Sequence, residues 1–275
     1  MKLRILSAVV GIPLVILTLA FHSVFPLCIN ILCALASLAC SVELLNAKGF
    51  TKNFEISVPC MLFSALLPML IAIPLCQVLL FLFVFYMFSL LIVKNQKYKF
   101  SDISYVFASI GFAAVGLSCM VGVSLLDEAN SCFYVTLCFA IPWVSDGGAY
   151  FVGSFMGKKK LCPNVSPKKT VEGAIGGIIV GIIGAVADAL VFQFVIFKDT
   201  VNIDFIGVLI VASIGTITSI IGDLIFSIIK RSCHVKDYGN VIPGHGGILD
   251  RCDSIIMTAP LIFIFVQYWP LIAVV

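Results

Sequence analysis

The sequence predicts an all-α, polytopic helical integral membrane protein of about nine transmembrane helices, N-terminus cytoplasmic and C-terminus external. Three observations carry that expectation. The 275 residues are 61% apolar and only 11% charged, with a mean hydropathy of +1.16, too little polar surface to cover a water-soluble globule. The apolar residues gather in runs that can cross a hydrocarbon core of roughly 30 Å, which takes about 20 residues of helix. Every Lys and Arg except Lys198 falls at the N-terminus or in alternate connections, and retained positive charge marks the cytoplasmic side.

The runs lie at 5–22, 24–44, 56–74, 76–93, 103–125, 132–154, 173–197, 204–228 and 254–272. The first follows Met1-Lys2-Leu3-Arg4 as a signal peptide would, but its apolar stretch is long and no A-x-A cleavage site follows, so it reads as a retained helix. Pro74 and the polar break Cys76-Gln77 divide a stretch too long for one span, which predicts a tight turn there. Two-residue alternation is missing from the runs, which argues against a β-barrel. Lys2, Arg4, Lys48, Lys52, Lys94, Lys97, Lys99, Lys158, Lys159, Lys160, Lys168, Lys169, Lys230, Arg231, Lys236 and Arg251 share one side.

Eleven cysteines lie mostly inside apolar runs, with no C-x-x-C pair, and read as packing residues. No basic face interleaved with aromatics is present, so membrane lipids, and no nucleic acid, are the expected macromolecular surroundings. The chain reads as a single membrane domain, 1–275, with 1–130 a helical scaffold and 131–275 the half that carries the chemistry at its cytoplasmic face.

Two features of that second half break the logic of lipid burial. The first runs through Ser145-Asp146-Gly147-Gly148-Ala149-Tyr150, Gly157-Lys158-Lys159-Lys160 and Ser166-Pro167-Lys168-Lys169-Thr170-Val171-Glu172-Gly173. A carboxylate within a span is costly, so Asp146 suggests a cavity, a cation or a proton path; its bland alternative is a lysine pair or an inter-helix hydrogen bond. Thr170 can cap the next helix, whose free N–H groups and positive dipole end suit phosphate next to Lys168 and Lys169. Alone, those lysines are better explained as a topology signal near anionic head groups. Gly173, Gly177, Gly181 and Gly184 share a helical face and imply close helix packing. Asp188 continues that stripe, where an inter-helix hydrogen bond is expected.

The second feature runs from Ser219 to Ser254. Asp223, Ser227, Lys230 and Arg231 share a helical face. An acid one to two turns below a cationic pair suits a metal held near the membrane surface with phosphate above it. Lys236-Asp237-Tyr238-Gly239-Asn240 and Pro243-Gly244-His245-Gly246-Gly247-Ile248-Leu249-Asp250-Arg251-Cys252-Asp253-Ser254 follow. Glycines 244, 246 and 247 allow a sharp turn and close approach to a ligand. Asp250 and Asp253, three apart, face one cavity if already helical. Carboxylates beside Lys and Arg match the needs of a Mg²⁺-nucleotide site. The single His245 is weak as a metal ligand and is expected at phosphate or in a turn. The bland reading of the whole segment is a solvated loop, against which stands its charge density in a charge-poor chain.

These residues resemble the phosphatidate cytidylyltransferases, or CDP-diacylglycerol synthases. The signature reads here as Ser227-Ile-Ile-Lys230-Arg231, Lys236-Asp237, Pro243-Gly244-His245-Gly246-Gly247 and Asp250-Arg251-Cys252-Asp253, preceded by the Ser166 to Gly173 element. Cys252 stands where an apolar residue or Thr is usual, and Gly147 where Thr is common; neither change removes a charge. The resemblance implies CTP and phosphatidic acid as substrates, CDP-diacylglycerol and pyrophosphate as products, and a place in phospholipid biosynthesis. It implies Mg²⁺ on Asp223 and Asp250 with Asp253 in support, room for a second monovalent or divalent ion, and phosphates on Lys230, Arg231, Lys168 and Lys169. Ser166, Thr170, Ser227, Lys236, Asp237, His245, Arg251 and Asp146 are the further expected substrate contacts. A homodimer is likewise implied, and a short chain without a long polar N-terminal extension suggests a bacterial inner membrane.

Two rivals fit less well. A CDP-alcohol phosphotransferase also opens its motif with Asp-Gly but next requires Ala-Arg, where this chain has Ala149-Tyr150. An ion-coupled transporter would use Asp146, Asp188 and broken helices near the midplane in paired halves, whereas polar groups here crowd into the second half near one surface.

Overall fold

The computed structural model describes residues 18, 21, 22, 25–239 and 246–274. Eight long helices run through the described residues: α1 (Cys28–Lys48), α2 (Phe54–Leu70), α3 (Leu75–Val93), α4 (Phe100–Leu126), α5 (Ser131–Met156), α6 (Val171–Ile196), α7 (Phe205–Ser232) and α8 (Leu249–Tyr268). Six of them, all but α2 and α8, are long and apolar enough to cross a membrane, and the molecule is a helical membrane protein. The expected span 5–22 lies almost wholly outside the described residues.

Two compact units emerge, one of residues up to Gly122 together with Ile229–Cys252, the other of Val123–Ile228 together with Asp253–Val275. In the first, α1 ends where Gly49 takes φ +77°, so that the Gly49 and Phe50 N–H groups return to the Asn46 and Leu45 carbonyls. The Asn30 amide of α1 donates to the Pro68 carbonyl at 3.1 Å, one of the acceptors that the end of α2 leaves unpaired and that lipid could not satisfy. Phe63 of α2 stacks on Phe83 of α3 with centroids 4.1 Å apart. Only 17% of the most apolar window of α3 is buried, which suits a helix turned outward to hydrocarbon. The expected turn near Cys76 falls slightly earlier, at 71–74, and Cys76 and Gln77 already belong to α3. Pro74, whose fixed φ and missing N–H suit a helix start, sets that boundary.

In the second unit α5 and α6 are joined by the connection 157–170. It holds a small antiparallel hairpin, β1 (Lys160–Cys162) and β2 (Ser166–Thr170), with Lys160 opposite Thr170 and Cys162 opposite Ser166. The Thr170 hydroxyl accepts the Gly173 N–H at 3.1 Å, so the expected cap of α6 is present. Thr170→Ala should destabilise this unit by about 1 kcal/mol, read as a lower Tm in detergent. The glycine stripe packs as expected. A Cβ on Gly177 would lie 2.8 Å from the Ser145 carbonyl oxygen of α5, and one on Gly181 3.0 Å from the Ser145 Cβ. The Asp188 carboxylate of α6 accepts the Thr136 hydroxyl of α5 at 3.0 Å, the inter-helix bond expected for it.

Beyond α6, β3 (Val201–Ile203) pairs antiparallel with β4 (Ile272–Val274). Helix α8 therefore differs from the run at 254–272: it starts at Leu249 and stops at Tyr268, ahead of Pro270. The Gln193 amide ties β3 down, donating to the Val201 carbonyl at 2.9 Å and accepting the Ile203 N–H at 2.8 Å. Nearby the Trp269 indole N–H donates to Asp204 at 2.8 Å, which holds that carboxyl below the usual carboxylate range. A depressed folded pKa stabilises above the unfolded value, near pH 4, and that contribution is lost as pH falls through the lower folded value. Trp269 emission should thus change in acid below about pH 4, and Asp204→Asn should abolish the transition.

Candidate functional site

Asp223 stands on α7 in the second unit. Its Oδ2 is paired with the Lys169 ammonium, and the Ser227 hydroxyl donates to its Oδ1 at 3.3 Å. The hairpin explains why only one of the adjacent lysines arrives there. Successive side chains of a strand point to opposite faces, so Lys169 turns to Asp223, whereas Lys168 is exposed. Ser166 is half-buried on the same strand, and Thr170 is committed to its cap. The Glu172 carboxylate accepts the Lys158 and Lys159 N–H groups at 3.0 and 3.2 Å, which fastens the start of the hairpin to the first turn of α6.

Gly222, next to Asp223, brings α7 against α8. A Cβ there would lie 2.8 Å from the Asp253 carbonyl oxygen and 2.9 Å from the Met257 Cβ. Asp253 is 7% exposed, and its Oδ1 accepts the Ser254 N–H at 2.8 Å. The Ser254 hydroxyl donates to Asp146 of α5 at 2.9 Å. Asp146 and Asp253 are thus joined through Ser254, beside the α7 backbone that carries Asp223. The Ser145 and Ser219 hydroxyls are buried with no hydrogen-bond partner among the described residues, leaving polar capacity beside Asp146 and one turn before Asp223.

The first unit holds a second carboxylate and lysine. Lys230 Nζ meets Asp250 Oδ1 at 2.9 Å, with side chains 13% and 8% exposed. Asp250 Oδ2 accepts the Gly247 N–H at 2.9 Å and the Tyr238 N–H at 3.2 Å. Lys230 lies 5.5 Å from the centroid of the Tyr238 ring. Both oxygens of Asp250 are engaged, which explains why α8 begins before its apolar run: the Asp250 carboxylate reaches back to the turn as a cap. Gly246 takes φ +79°, the left-handed conformation that such a turn needs. Arg231, Lys236, Asp237 and Arg251 are exposed. His245, with Pro243 and Gly244, lies outside the described residues.

One residue of this unit was passed over in the sequence. Glu43, 3% exposed near the end of α1, accepts the Ile248 and Leu249 N–H groups at 2.9 Å each. A lone acid within an apolar run was the available signal.

A profile of the cytidylyltransferase family matches residues 2–269. The chain belongs to that family. It is 36% identical to a phosphatidate cytidylyltransferase of Bacillus subtilis (strain 168) over 172 residues, 62% of this chain and 61% of that one. It is 34% identical to the enzyme of that name from Staphylococcus haemolyticus (strain JCSC1435) over 178 residues, 65% and 64% of the two chains. A third, from Staphylococcus saprophyticus subsp. saprophyticus, is 35% identical over the same length. The matched stretch therefore spans less than two thirds of these curated relatives.

Donor chemistry can be weighed against the Mg²⁺ expected of this family member. Among the described residues no three His, Cys, Asp or Glu side chains converge as a ready metal cage. That fits Mg²⁺, which binds through one or two carboxylates and completes its octahedron with water and substrate phosphate oxygens. Asp223, about a quarter exposed and paired with the Lys169 ammonium, is suited to that use.

Proposed function

We propose that this chain is a phosphatidate cytidylyltransferase. It transfers the cytidylyl group of CTP to phosphatidic acid at a site open to the cytoplasm, giving CDP-diacylglycerol and pyrophosphate. The observation that carries this reading is the pairing of carboxylate and lysine in a cytidylyltransferase-family membrane protein, Lys169 with Asp223 and Lys230 with Asp250. Each pair holds an oxygen donor for a hard cation and an ammonium for a phosphate, already neutralised by each other.

In the transfer, a phosphate oxygen of phosphatidic acid attacks the α-phosphorus of CTP. The new P–O bond forms as the bond to the bridging oxygen breaks, and pyrophosphate leaves with that electron pair. The nucleophile is already anionic, so no strong base is required, and the protein's work is positioning and charge neutralisation. Lys169 and Lys230 turn from carboxylate to phosphate, while exposed Lys168, Arg231 and Arg251 meet the triphosphate or the lipid head group. Asp223 and Asp250 are the carboxylates that would each offer oxygen ligands to Mg²⁺, which would supply neutralisation of phosphate charge when bound. Asp146 and Asp253, linked through Ser254, orient the helices around Asp223.

The topology that goes with this reading has nine spans, the N-terminus inside, in a bacterial inner membrane, with the chain as a homodimer. The one-sided distribution of Lys and Arg supports the orientation, the apolar runs support the span count, and the homodimer rests on the family resemblance alone. The test uses purified protein in nanodiscs with [α-³²P]CTP, Mg²⁺ and phosphatidic acid. Label should enter the chloroform phase only when phosphatidic acid is present. Folded protein that leaves all label in water would refute the activity.

A further inference from the structure

Glu43 of α1 is a buried carboxylate that the transfer just described leaves without a task. Its partners lie about 200 residues away in sequence, at the N-terminus of α8. A helix start leaves several N–H groups without intrahelical acceptors, and they are usually met by a Ser, Thr, Asp or Asn at the N-cap. The residue before Leu249 is Ile248, whose side chain has no acceptor. Here three successive N–H groups are taken by two carboxylates: Gly247 donates to Asp250, and Ile248 and Leu249 donate to Glu43.

The glycines of the turn are fitted to this arrangement. A Cβ on Gly247 would fall inside the Glu43 carboxylate, and one on Gly239 would lie 3.0 Å from Glu43 Oε1. The close backbone approach that the glycines permit is therefore made, at these two positions, to a side chain of the protein itself. Glu43 is in turn held in place: the Tyr105 hydroxyl of α4 donates to the carbonyl of the neighbouring Leu44 at 2.9 Å.

The consequence falls on Asp250. Without Glu43, the N–H groups of Ile248 and Leu249 lose their acceptor, and the Asp250 carboxylate, which already takes the Gly247 N–H, is an acceptor on the same turn. We propose that Glu43 is a positioning residue. By holding the first turn of α8 from α1, it limits the capping by Asp250 to Oδ2, so that its Oδ1 stays directed at Lys230 and available to a divalent cation. The assignment of Asp250 to the cation rests on the activity proposed above; the anchoring of the turn does not.

Glu43→Gln preserves shape and removes one of the two acceptors. In nanodiscs, amide hydrogen exchange over 246–252 should speed up about tenfold or more, as expected when a buried hydrogen bond to a charged group is lost. The Mg²⁺ concentration giving half-maximal turnover should rise about tenfold or more, the usual effect of losing a group that orients a metal ligand. KM for phosphatidic acid should stay within about twofold, since Glu43 meets no lipid phosphate. Gly247→Ala, which displaces the carboxylate from the other side, should give the same signature, and the double variant should be no worse than the worse single one. Unchanged exchange in both variants would overturn the anchoring. Faster exchange with an unchanged Mg²⁺ requirement would overturn the positioning of Asp250. Should the wild-type protein itself transfer no label, the activity is wrong, and the exchange comparison still decides whether Glu43 holds the turn.

Discussion

Asp223→Asn and Asp250→Asn should each lower cytidylyl transfer by at least about 10³-fold while both proteins still insert, a loss in keeping with removing charge stabilisation of a phosphoryl transition state. Their stabilities should differ. The Lys169–Asp223 pair is about a quarter exposed on each side, and ion pairs with that access to water contribute little, typically about 0–1 kcal/mol. Asp223→Asn should therefore leave Tm nearly unchanged. The Lys230–Asp250 pair is far more enclosed, and Asp250 also accepts two backbone N–H groups. Removing its charge strands a buried ammonium, a change that costs about 3–5 kcal/mol in comparable sites. Asp250→Asn should lose activity and several degrees of Tm together. A near-normal rate in either variant would remove that residue from the cation site.

The second large effect is expected at Gly222. An added methyl there meets the backbone oxygen of Asp253 at 2.8 Å, and a backbone cannot rotate away as a flexible side chain can. Overpacking of this kind costs about 1–3 kcal/mol. The relaxation available is a separation of α7 from the first turns of α8, which moves Asp223 away from Asp253 and Ser254. Gly222→Ala should lower Tm and also cut turnover, about 10²-fold for a displacement near 1 Å. Gly177→Ala tightens a comparable helix contact, but against Ser145 and Ala149 of α5. It should lower Tm with a smaller loss of activity. Equal losses of activity at the two sites would show that Gly222 acts through general packing alone.

Much of this was legible in the sequence because lipid burial makes few demands and makes them loudly. Long apolar runs gave helices within about five residues; prolines at 26, 74 and 270 account for the starts of α1 and α3 and the stop of α8, whereas the early start of α8 goes with the Asp250 cap. The glycine stripe of α6 and the cap at Thr170 followed from spacing, and an inter-helix bond was expected for Asp188, though its Thr136 partner was not. The hairpin Lys160–Thr170 did not: its strands are three and five residues long, too short for a period-two pattern, and without it Lys168 and Lys169 read as one unit. The pairing of each candidate carboxylate with a lysine was likewise hidden, since Asp250 and Lys230 lie 20 residues apart and no helical periodicity relates them. Glu43 was concealed by its place near the end of a span, where an acid passes for a boundary residue.

The central claim is that the α-phosphorus of CTP becomes bonded to the lipid. One reaction with CTP labelled separately at the α and γ phosphates, with phosphatidic acid and Mg²⁺, measures this directly. All transferred α-label should appear in the lipid and an equal amount of γ-label in pyrophosphate, and Asp223→Asn should abolish both. Label from the γ position in the lipid, or α-label released as CMP without a lipid product, would contradict it.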